Sequence, residues 1–440
     1  MGRRDALMTA LDRFLARGRA RRPGADARLR RMAWILGNYE ERLRPMTVVK
    51  IAGTNGKGSV AAMLDAGLRA SGLRVGLFTS PHLIRWHERI RVHGSEIDPA
   101  WLDQLADQTS STLDCTDELD DVPSIFERLL VLAFEAFTRA AVDVAILECA
   151  IGGQTDAVGP VPGSLSIVTS VGLDHCRELG PTLEAIATNK AGVASPGSVL
   201  VVGPSIDGDA LHAVERRTTR SRVRLVRARR SAVAVGTASL RDSTALVKWG
   251  AEDRAIHLRL PLAGRFQLDN LATAVTALRE LATLGLPIDA RGVEGLAATR
   301  WPGRMERIDA RGTRWLLDCA HNAPAMHALV EALDDLTARD QRVLLLGLAD
   351  PSADHTDVLP QVPGLAARVH LVDGFHRAVS THELERRLQS IAPGSITCVG
   401  RHTSPNAAID ALAGSNALIV AAGSTYLVGS LRAALHDESR

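Results

Sequence analysis

Val48–Ser59 reads VVKIAGTNGKGS, an apolar run that breaks into a glycine-rich loop carrying one lysine. Its β-branched residues, ending at Gly53, predict a buried parallel strand, and the polar turn after them predicts a helix that starts near Val60. In such a loop the glycines let backbone N–H groups surround phosphate oxygens, while Lys57 and the helix N-terminus add positive charge. The stretch therefore predicts a phosphate-binding loop of the P-loop type.

The loop departs from the strict P-loop pattern at one position. Gly58 follows the lysine where that pattern has Ser or Thr, and the hydroxyl comes one residue later at Ser59. The alternative interpretation is a glycine-rich turn that binds no ligand. The residues predicted to contact a nucleotide here are Thr54, Asn55, Gly56, Lys57, Gly58 and Ser59.

Length, charge and cysteine usage narrow the class of protein. A chain of 440 residues is long enough for two packed domains. Its net charge of +2 gives no general attraction to nucleic acid or membranes. The five cysteines are scattered and form no CxxC pair, which argues for a reducing cytoplasm and against a zinc site or a disulfide framework.

Two basic segments raise alternatives that the residue pattern disfavours. The arginine-rich Met1–Pro23 lacks the continuous apolar core of a signal peptide, so we expect a surface helix there. No run of the sequence approaches the length of a membrane span. The basic residues of 215–230 are interleaved with Val and Leu, which favours a solvated strand face over a nucleic-acid site.

Strand and helix patterns alternate through the first part of the chain. The alternation predicts an α/β fold, a doubly wound and mostly parallel sheet with helices on both faces. Residues 222–249 alternate apolar and polar side chains, so we expect antiparallel strands appended to that sheet. A helix is expected at Gln267–Leu284. The other predicted strands are Val48–Gly53, Val75–Ser80, Val142–Cys149, Leu165–Val171 and Ser198–Val202.

A composition shift separates this part from the rest of the chain. Gly, Pro and Arg accumulate at 285–302, and we place a linker there. We therefore expect a P-loop-type domain with an N-terminal helical segment at 1–302 and a smaller, Rossmann-like α/β domain at 303–440. The strands predicted in the second domain are Trp315–Cys319, Val343–Leu348, Val369–Val372, Ile396–Val399 and Leu418–Ala422.

Polar residues stand where three strands of the first domain are predicted to end: Ser80, Glu148 and His175. In an open α/β sheet this edge forms the ligand crevice. One hydroxyl, one carboxylate and one imidazole beside a phosphate loop can hold Mg²⁺, which takes few protein ligands in addition to phosphate and water. Taken singly, these residues read equally well as a turn serine, a buried ion-pair partner and a loop histidine.

The ordered set of motifs resembles the folylpolyglutamate synthase/dihydrofolate synthase family of the Mur ligase superfamily. The resemblance implies an ATP- and Mg²⁺-dependent amide ligase that activates a carboxylic acid as an acyl phosphate and joins it to an amino acid. The motifs are GTNGKGS at 53–59, TSPHL at 79–83, ERI at 88–90, ILE at 146–148, TSVGLDH at 169–175, GRFQLDN at 264–270, LLDCAHN at 316–322 and GSTYLVGSLR at 423–432.

The resemblance also implies roles for single residues. Lys190 would be carbamylated and present a carboxylate-like group to a magnesium ion held by Ser80, Glu148 and His175. From the residue pattern alone, a surface lysine is the default at position 190. The implied catalytic residues are Lys57, Lys190 and His321. Further nucleotide contacts are implied for Asn270, Arg304 and Asp318.

On the substrate side, the resemblance implies a pterin or folate carboxylate, with L-glutamate as the amine, and a monomeric protein. Phe126 could offer a ring face to a flat heterocycle, although an apolar role in a helix core is equally open. The residues implied to border the pterin are Ser124, Ile125, Phe126, Glu127, Thr155, Asp156 and Ala157.

Several positions depart from the family pattern. Gln154 replaces an arginine, Asn189 replaces a glutamate, and Ala323 is an extra residue before the proline of the second-domain motif. A paralogue that couples an amino acid to a different carboxylic acid is therefore an alternative. An ATP-binding switch or simple P-loop ATPase is an alternative of another class, against which Arg304, Asp318 and His321 argue. A kinase is a further alternative, and a ligase differs from it in releasing ADP and phosphate only when both the acid and the amine are present.

Overall fold

The structure, a computed structural model, describes residues 8–18, 24–114, 122–250, 254–353, 355–391 and 393–437. Within the predicted helical segment Met1–Pro23, the described part forms a helix that a capping box at Thr9 begins. This helix buries Phe14 and leaves polar side chains on its other face, as a surface helix does. The rest of that prediction lies outside the described residues, as does Cys115.

The first 302 residues hold a large sheet, a small sheet and the helices around them. The strands are β1 (Thr47–Ala52), β2 (Val75–Phe78), β3 (Ile90–Val92), β4 (Ser95–Glu96), β5 (Val144–Glu148), β6 (Leu165–Val168), β7 (Val199–Val202), β8 (Arg224–Arg227), β9 (Val233–Ala238), β10 (Ser243–Trp249) and β11 (Arg254–Leu260). The helices are α1 (Ala10–Ala16), α2 (Ala25–Gly37), α3 (Glu40–Leu43), α4 (Lys57–Ala70), α5 (Pro99–Asp114), α6 (Ile125–Arg139), α7 (Cys176–Leu179), α8 (Leu183–Ala191), α9 (Gly208–Arg220), α10 (Phe266–Thr283) and α11 (Ala290–Glu294).

The large sheet has the order β4-β3-β2-β5-β1-β6-β7-β8. All pairings from β2 to β8 are parallel, and only the short β3 and β4 pair in the antiparallel sense. Strand β1 lies between two cores, with Val48 and Ala52 on one face and Val49 and Ile51 on the other. A parallel strand covered on both faces needs such a continuous apolar run. The predicted doubly wound α/β fold is confirmed.

The helix after the phosphate loop begins at Lys57, three residues before the predicted start near Val60. Its N-cap is Gly56, with φ +85°, a conformation that glycine adopts without a Cβ penalty. The residue pattern placed the start at the first apolar residue, but the polar residues before it already form the first turn. The N-terminal N–H groups of α4 therefore lie at the loop itself.

The prediction for residues 222–249 is wrong in part. Strand β8 pairs in parallel with β7 at the edge of the large sheet. Strands β9, β10 and β11 form a separate antiparallel sheet that packs against α10. Alternating side chains occur with either pairing, so alternation alone did not distinguish them. Arg224 and Arg227 of β8 are exposed, in agreement with the predicted solvated strand face.

The second domain is a six-stranded sheet in the order β12-β13-β17-β14-β15-β16, with a separate core on each face. All its pairings are parallel except the hairpin of β12 and β13. The strands are β12 (Glu306–Ala310), β13 (Thr313–Leu317), β14 (Arg342–Leu346), β15 (Arg368–Val372), β16 (Thr397–His402) and β17 (Leu418–Ala422). The helices are α12 (Ala323–Asp334), α13 (Val362–Leu365), α14 (Thr381–Ile391), α15 (Pro405–Leu412) and α16 (Thr425–Asp437).

Two features near the predicted linker differ from expectation. Strand β12 was not predicted; it turns back on β13 through Arg311 and Gly312, both with positive φ, as a tight hairpin turn requires. The segment 285–302 contains α11 and a short 3₁₀ turn, which bury Val293 and Leu296 against α4. Much of this segment thus packs with the first domain, and the division at 302/303 stays a prediction.

Candidate active site

One large cavity, of about 1890 Å³, opens where the carboxyl ends of the first domain's strands face the second domain. Two predicted site residues, Glu127 and Lys190, are buried and do not line it. The predicted residues that do line it are Thr54, Asn55, Gly56, Lys57, Gly58, Ser59, Ser80, Ser124, Ile125, Phe126, Glu148, Thr155, Asp156, Ala157, His175, Asn270, Arg304, Asp318 and His321.

The phosphate loop is held in place from two sides. The Thr54 hydroxyl accepts from the backbone N–H of Gly172 at 3.0 Å, and the backbone N–H of Asn55 donates to the Ser170 hydroxyl at 2.9 Å. On the other side, a Cβ at Gly56 would lie 2.3 Å from Oδ1 of Asn270. Glycine is therefore needed at position 56 both for its φ and for the close approach of α10.

The glycine that departs from the strict P-loop pattern has a steric cause. A Cβ at Gly58 would lie 2.6 Å from Nε1 of Trp301 and 2.7 Å from its Cζ2. The indole therefore occupies the place that a Ser or Thr side chain would take at position 58. The next hydroxyl, at Ser59, is buried and accepts from Nε2 of Gln267 at 3.5 Å. Oε1 of the same glutamine accepts from the Asn270 amide at 2.8 Å.

The Lys57 amine lies folded over its own loop. Its Nζ donates to the carbonyl oxygens of Gly53 at 2.9 Å and of Thr54 at 3.1 Å. The positive charge acts on the carboxylates of Glu148 and Asp174 as well, whose pKa values it lowers. Lys57 is thus a cation at the centre of the acidic groups of the cavity.

Ser80 and Glu148 meet at the ends of β2 and β5. The backbone N–H of Ser80 donates to Oε2 of Glu148 at 3.1 Å. Burial raises the pKa of Glu148, and the charges of Lys57 and Arg304 offset part of that rise. Burial thus disfavours the charged form of this carboxylate, and the nearby positive charges favour it.

His175 also lines the cavity and contacts Asp174, to which the sequence motifs gave no role. It has a φ of +52°, and its Nε2 is 3.8 Å from Oδ1 of Asp174. Burial would raise the pKa of Asp174, but His175, His321 and the amide of Asn322 lower it overall. Asp174 therefore stands as a carboxylate between a histidine of each domain.

These donors fit a magnesium ion of the kind that nucleotide sites use. In the described part of the chain, no three His, Cys, Asp or Glu side chains converge into a metal site built by protein alone. The hydroxyl of Ser80, the carboxylate of Glu148 and the imidazole of His175 all line the cavity that holds the phosphate loop, where we propose that they would form a partial ligand set. Magnesium takes its remaining ligands from phosphate and water, so a partial set is the expected one.

Lys190 is buried at the end of α8, so the structure contradicts the surface-lysine default. Burial, together with the repulsion of Lys57, lowers the pKa of its amine to about 7. The carboxylates of Asp174 and Asp156 offset only part of that lowering. A large share of this amine is therefore unprotonated at neutral pH, which is the form that reacts with carbon dioxide.

The second domain brings Arg304, Asp318 and His321 to the cavity. The Asp318 carboxylate accepts from the backbone N–H of Met305 and from that of Ala320, each at 2.8 Å. Burial opposes the charge on Arg304, yet Cys319, Asp318 and Glu148 together raise its pKa. Arg304 is thus a permanent cation that faces carboxylates of both domains.

The segment predicted to contact a pterin is divided between cavity and core. Ser124 caps α6 and, with Ile125 and Phe126, lines the cavity; the Phe126 ring packs 5.4 Å from that of Phe78. Glu127 points the other way. Its carboxylate accepts from the Ser124 N–H at 2.6 Å and pairs with buried Arg31 at 2.9 Å. The implied substrate contact of Glu127 is therefore not what the structure shows.

The second substrate-side segment is built by side chains that support its backbone. The Asp156 carboxylate accepts from the backbone N–H groups of Ala150, Ile151 and Val158 at 2.9–3.0 Å. Asn189, one of the departures, accepts from the Gly153 N–H at 3.0 Å and donates to the Thr155 hydroxyl at 3.1 Å. The amide at 189 thus shapes the wall next to Thr155.

Sequence reasoning missed two residues of the site and one contact. Asp174 and Asn322 stood inside quoted motifs but received no role, and their hydrogen bond, at 2.9 Å, joins the two domains. Asn before a Pro-containing first turn is a helix N-cap signal, which could have marked Asn322. The contact of Trp301 with Gly58 has no such signal, because it joins residues far apart in the chain.

Comparison with known proteins agrees with this architecture. The family profile of the Mur ligase middle domain matches residues 51–278, and that of the Mur ligase glutamate ligase domain matches residues 303–425. Among solved structures, folylpolyglutamate synthase of Mycobacterium tuberculosis complexed with ADP superposes with a TM-score of 0.83. It is 26% identical, and the match covers 97% of this chain and 98% of that one. Within the described ranges, no helix has the length and apolar character needed to cross a lipid bilayer.

Curated relatives carry names from one family. A probable bifunctional folylpolyglutamate synthase/dihydropteroate synthase of Haloferax volcanii is 31% identical over 93% of this chain and 48% of its own length, so the chain spans about half of that relative. Folylpolyglutamate synthase of Lacticaseibacillus casei is 32% identical over 80% of this chain and 82% of its own length. The chain therefore belongs to the folylpolyglutamate synthase/dihydrofolate synthase family of the Mur ligases.

Proposed function

We propose that this protein is an ATP-dependent ligase that joins L-glutamate to a pteroate or folate carboxylate through an acyl phosphate. The observation that carries the proposal is the large cavity to which both domains contribute residues. It holds the phosphate loop, the Ser80–Glu148 pair, and Arg304 and His321 of the second domain. A switch or a simple ATPase has no need of a second domain that supplies charged groups to its phosphate loop.

The first half of the reaction is phosphoryl transfer. A carboxylate oxygen of the acid attacks the γ-phosphorus of ATP, the bond to the β-phosphate bridging oxygen breaks, and ADP leaves. Negative charge accumulates on the transferred group, and Lys57 and Arg304 supply the fixed positive charge that stabilises it. A magnesium ion held by Ser80, Glu148 and His175 would add charge neutralisation at the phosphates.

The second half forms the amide. The amine of glutamate attacks the acyl carbon, the carbon–oxygen bond to phosphate breaks, and the nitrogen loses a proton as orthophosphate leaves. The attack requires the uncharged amine, so a nearby base must accept a proton from the ammonium form. His321 lines the cavity, and its Nδ1 lies 2.8 Å from the carbonyl oxygen of Cys319, which orients the ring. We propose that His321 lies on the side of the cavity that takes the glutamate amine and serves there as this base.

Carbamylation of Lys190 is part of the proposal. The neutral amine attacks carbon dioxide, a nitrogen–carbon bond forms, and a proton is released to solvent. The buried amine thereby becomes an anion on a long side chain, next to Lys57 and near the predicted magnesium ligands. The lowered pKa of Lys190 supports this step, because an ordinary lysine is almost fully protonated at neutral pH.

We further propose that the protein works as a monomer in the cytoplasm, where ATP, folates and glutamate meet and thiols stay reduced. The free thiols of Cys149, Cys176, Cys319 and Cys398 support a reducing location. Sedimentation of the purified protein at enzyme concentrations tests the oligomeric state, and a stable dimer would contradict that part of the proposal.

The direct test measures phosphate release and amide formation with Mg-ATP. Dihydropteroate plus glutamate, tetrahydrofolate plus glutamate, and each component alone are compared. Turnover that requires both an acid and glutamate is the expected result. Binding of ATP without turnover on any folate acid would instead favour a paralogue that uses another carboxylic acid, and phosphate release with ATP alone would favour an ATPase.

A further inference from the structure

The side-chain amide of Asn322 joins three segments that are distant in sequence. Its Oδ1 accepts from the backbone N–H of Ala325 at 2.9 Å and thereby caps α12. The same amide exchanges hydrogen bonds with the side chain of Asn55 in the phosphate loop, at 3.1 and 3.2 Å. Its Nδ2 also donates to the Asp174 carboxylate at 2.9 Å. Asn55, Asp174 and Asn322 are termed the interdomain triad below.

The triad exceeds what a helix cap requires. A cap needs only the side-chain oxygen of Asn322, whereas both the oxygen and the nitrogen of this buried amide reach the other domain. The backbones are equally close at this point. A Cβ at Gly172 would lie 2.9 Å from Cγ of Pro324, in the first turn of α12. The inserted Ala323 therefore belongs to a turn that is fitted against the first domain.

Each member of the triad is a neighbour in sequence of a residue assigned to the reaction. Asn55 lies in the phosphate loop itself, Asp174 precedes His175, and Asn322 follows His321. We propose that Asn322 is a positioning residue whose amide fixes the amine-side segment of the second domain on the phosphate loop, so that the acyl phosphate meets an amine before it meets water. The reaction named here rests on the proposed function, while the interdomain contact is testable without it.

The consequence of losing the triad follows from the chemistry of the intermediate. When the domains separate, water can attack the acyl carbon; the bond to phosphate breaks, orthophosphate leaves, and the acid is regenerated. ATP is then consumed without amide. The loss of two or three net hydrogen bonds changes the ratio of closed to open domains by roughly 10- to 100-fold. In the wild type, about one phosphate is released for each amide formed. We expect this ratio to rise to about five or more when the triad is lost.

Two substitutions separate positioning from capping. Asn322→Ser keeps a good N-cap and removes the amide bonds to the first domain. Asn322→Asp keeps the cap and the size, and sets a second carboxylate against Asp174, so it should uncouple more strongly than Asn322→Ser. The matched control is Ser404→Ala, because the Ser404 hydroxyl caps α15 in the same domain by accepting from Ala407 at 3.2 Å. It should lower thermal stability and leave the ratio of phosphate to amide unchanged.

The outcomes are distinct. A ratio that stays near one in folded Asn322→Ser overturns the proposal, as does an equal rise in Ser404→Ala. A wild-type protein without folate-dependent turnover would refute the proposed function. The interdomain contact would then be tested by small-angle X-ray scattering. There the Asn322→Asp protein should have a larger radius of gyration than the wild type, and identical radii would overturn the interdomain role.

Discussion

Replacement of Lys190 by methionine tests the buried amine directly. The two side chains are similar in length, and only the lysine can carry a charge. Burial of that charge lowers the pKa from its ordinary 10.5 to about 7, so the protonated form destabilises the folded state. We expect Lys190→Met to be more stable than the wild type in acidic, carbon dioxide-free buffer, and to lose roughly a hundredfold or more in turnover.

The magnitude follows from proton linkage. Between about pH 7 and pH 10.5 the unfolded chain keeps a proton on Lys190 that the folded chain has lost, so the stability of the wild type rises with pH across this window. At pH 6 the penalty of the wild type is about 5 kcal/mol, and at pH 9 it is about 2 kcal/mol. The stability advantage of Lys190→Met should therefore shrink by about 3 kcal/mol between these two pH values.

Urea denaturation of both proteins at several pH values, in degassed buffer, measures this difference. Lys248→Met, at an exposed strand position, is the control for exchanging a lysine for a methionine where the side chain is not buried. A pH-independent difference in stability between Lys190→Met and the wild type would refute the reasoning that burial suppresses the charge. Carbon-13-labelled bicarbonate should produce a carbamate signal in the NMR spectrum of the wild type and none in that of Lys190→Met.

Three further substitutions test other parts of the site. Gly58→Ala sets a Cβ against the Trp301 indole and should weaken ADP binding by roughly tenfold or more in calorimetry. The double variant Gly58→Ala with Trp301→Leu should recover affinity. Equal weakening in both variants would show that the clash is not the cause. Glu127→Gln leaves the buried guanidinium of Arg31 without its ion-pair partner and should cost about 3 kcal/mol in urea denaturation, with an unchanged KM for the acid; a large rise in that KM would restore Glu127 to the substrate site. Asn189→Glu removes the amide donor that holds the 153–155 wall and should change the KM for the acid severalfold with the KM for ATP unaltered; an effect on ATP alone would contradict the assignment.

The fold and the phosphate side of the site were predictable because their determinants are local. A buried parallel strand needs an apolar run, such as the one before Gly53, and a tight loop needs glycines, such as those after it. Both requirements can be read directly from the residue types. The polar residues at strand ends, Ser80 and Glu148, followed from a rule of parallel sheets. Such rules depend on the local order of residues along the chain and not on contacts between distant segments.

The rest depended on contacts between distant segments. A glutamate at position 127 is compatible both with a substrate contact and with an ion pair to Arg31. The sequence does not show which face of α6 is turned toward the cavity. The alternation in β8 was compatible with either strand direction. The burial of Lys190 and its lowered pKa arise from the packing of α8 near Lys57, which no local pattern around residue 190 encodes.

The contact of Trp301 with Gly58 has a mechanical consequence. The predicted division between the domains, at 302/303, lies next to this tryptophan, so a hinge there would have its axis beside the phosphate loop. A body that swings about an axis moves its near parts little and its far parts much. Arg304, three residues after this tryptophan, would then stay near the phosphate loop while the cavity residues farther from the hinge moved more. On this geometry the enzyme could keep its nucleotide while the far side of the cleft opened for the other reactants to enter and leave.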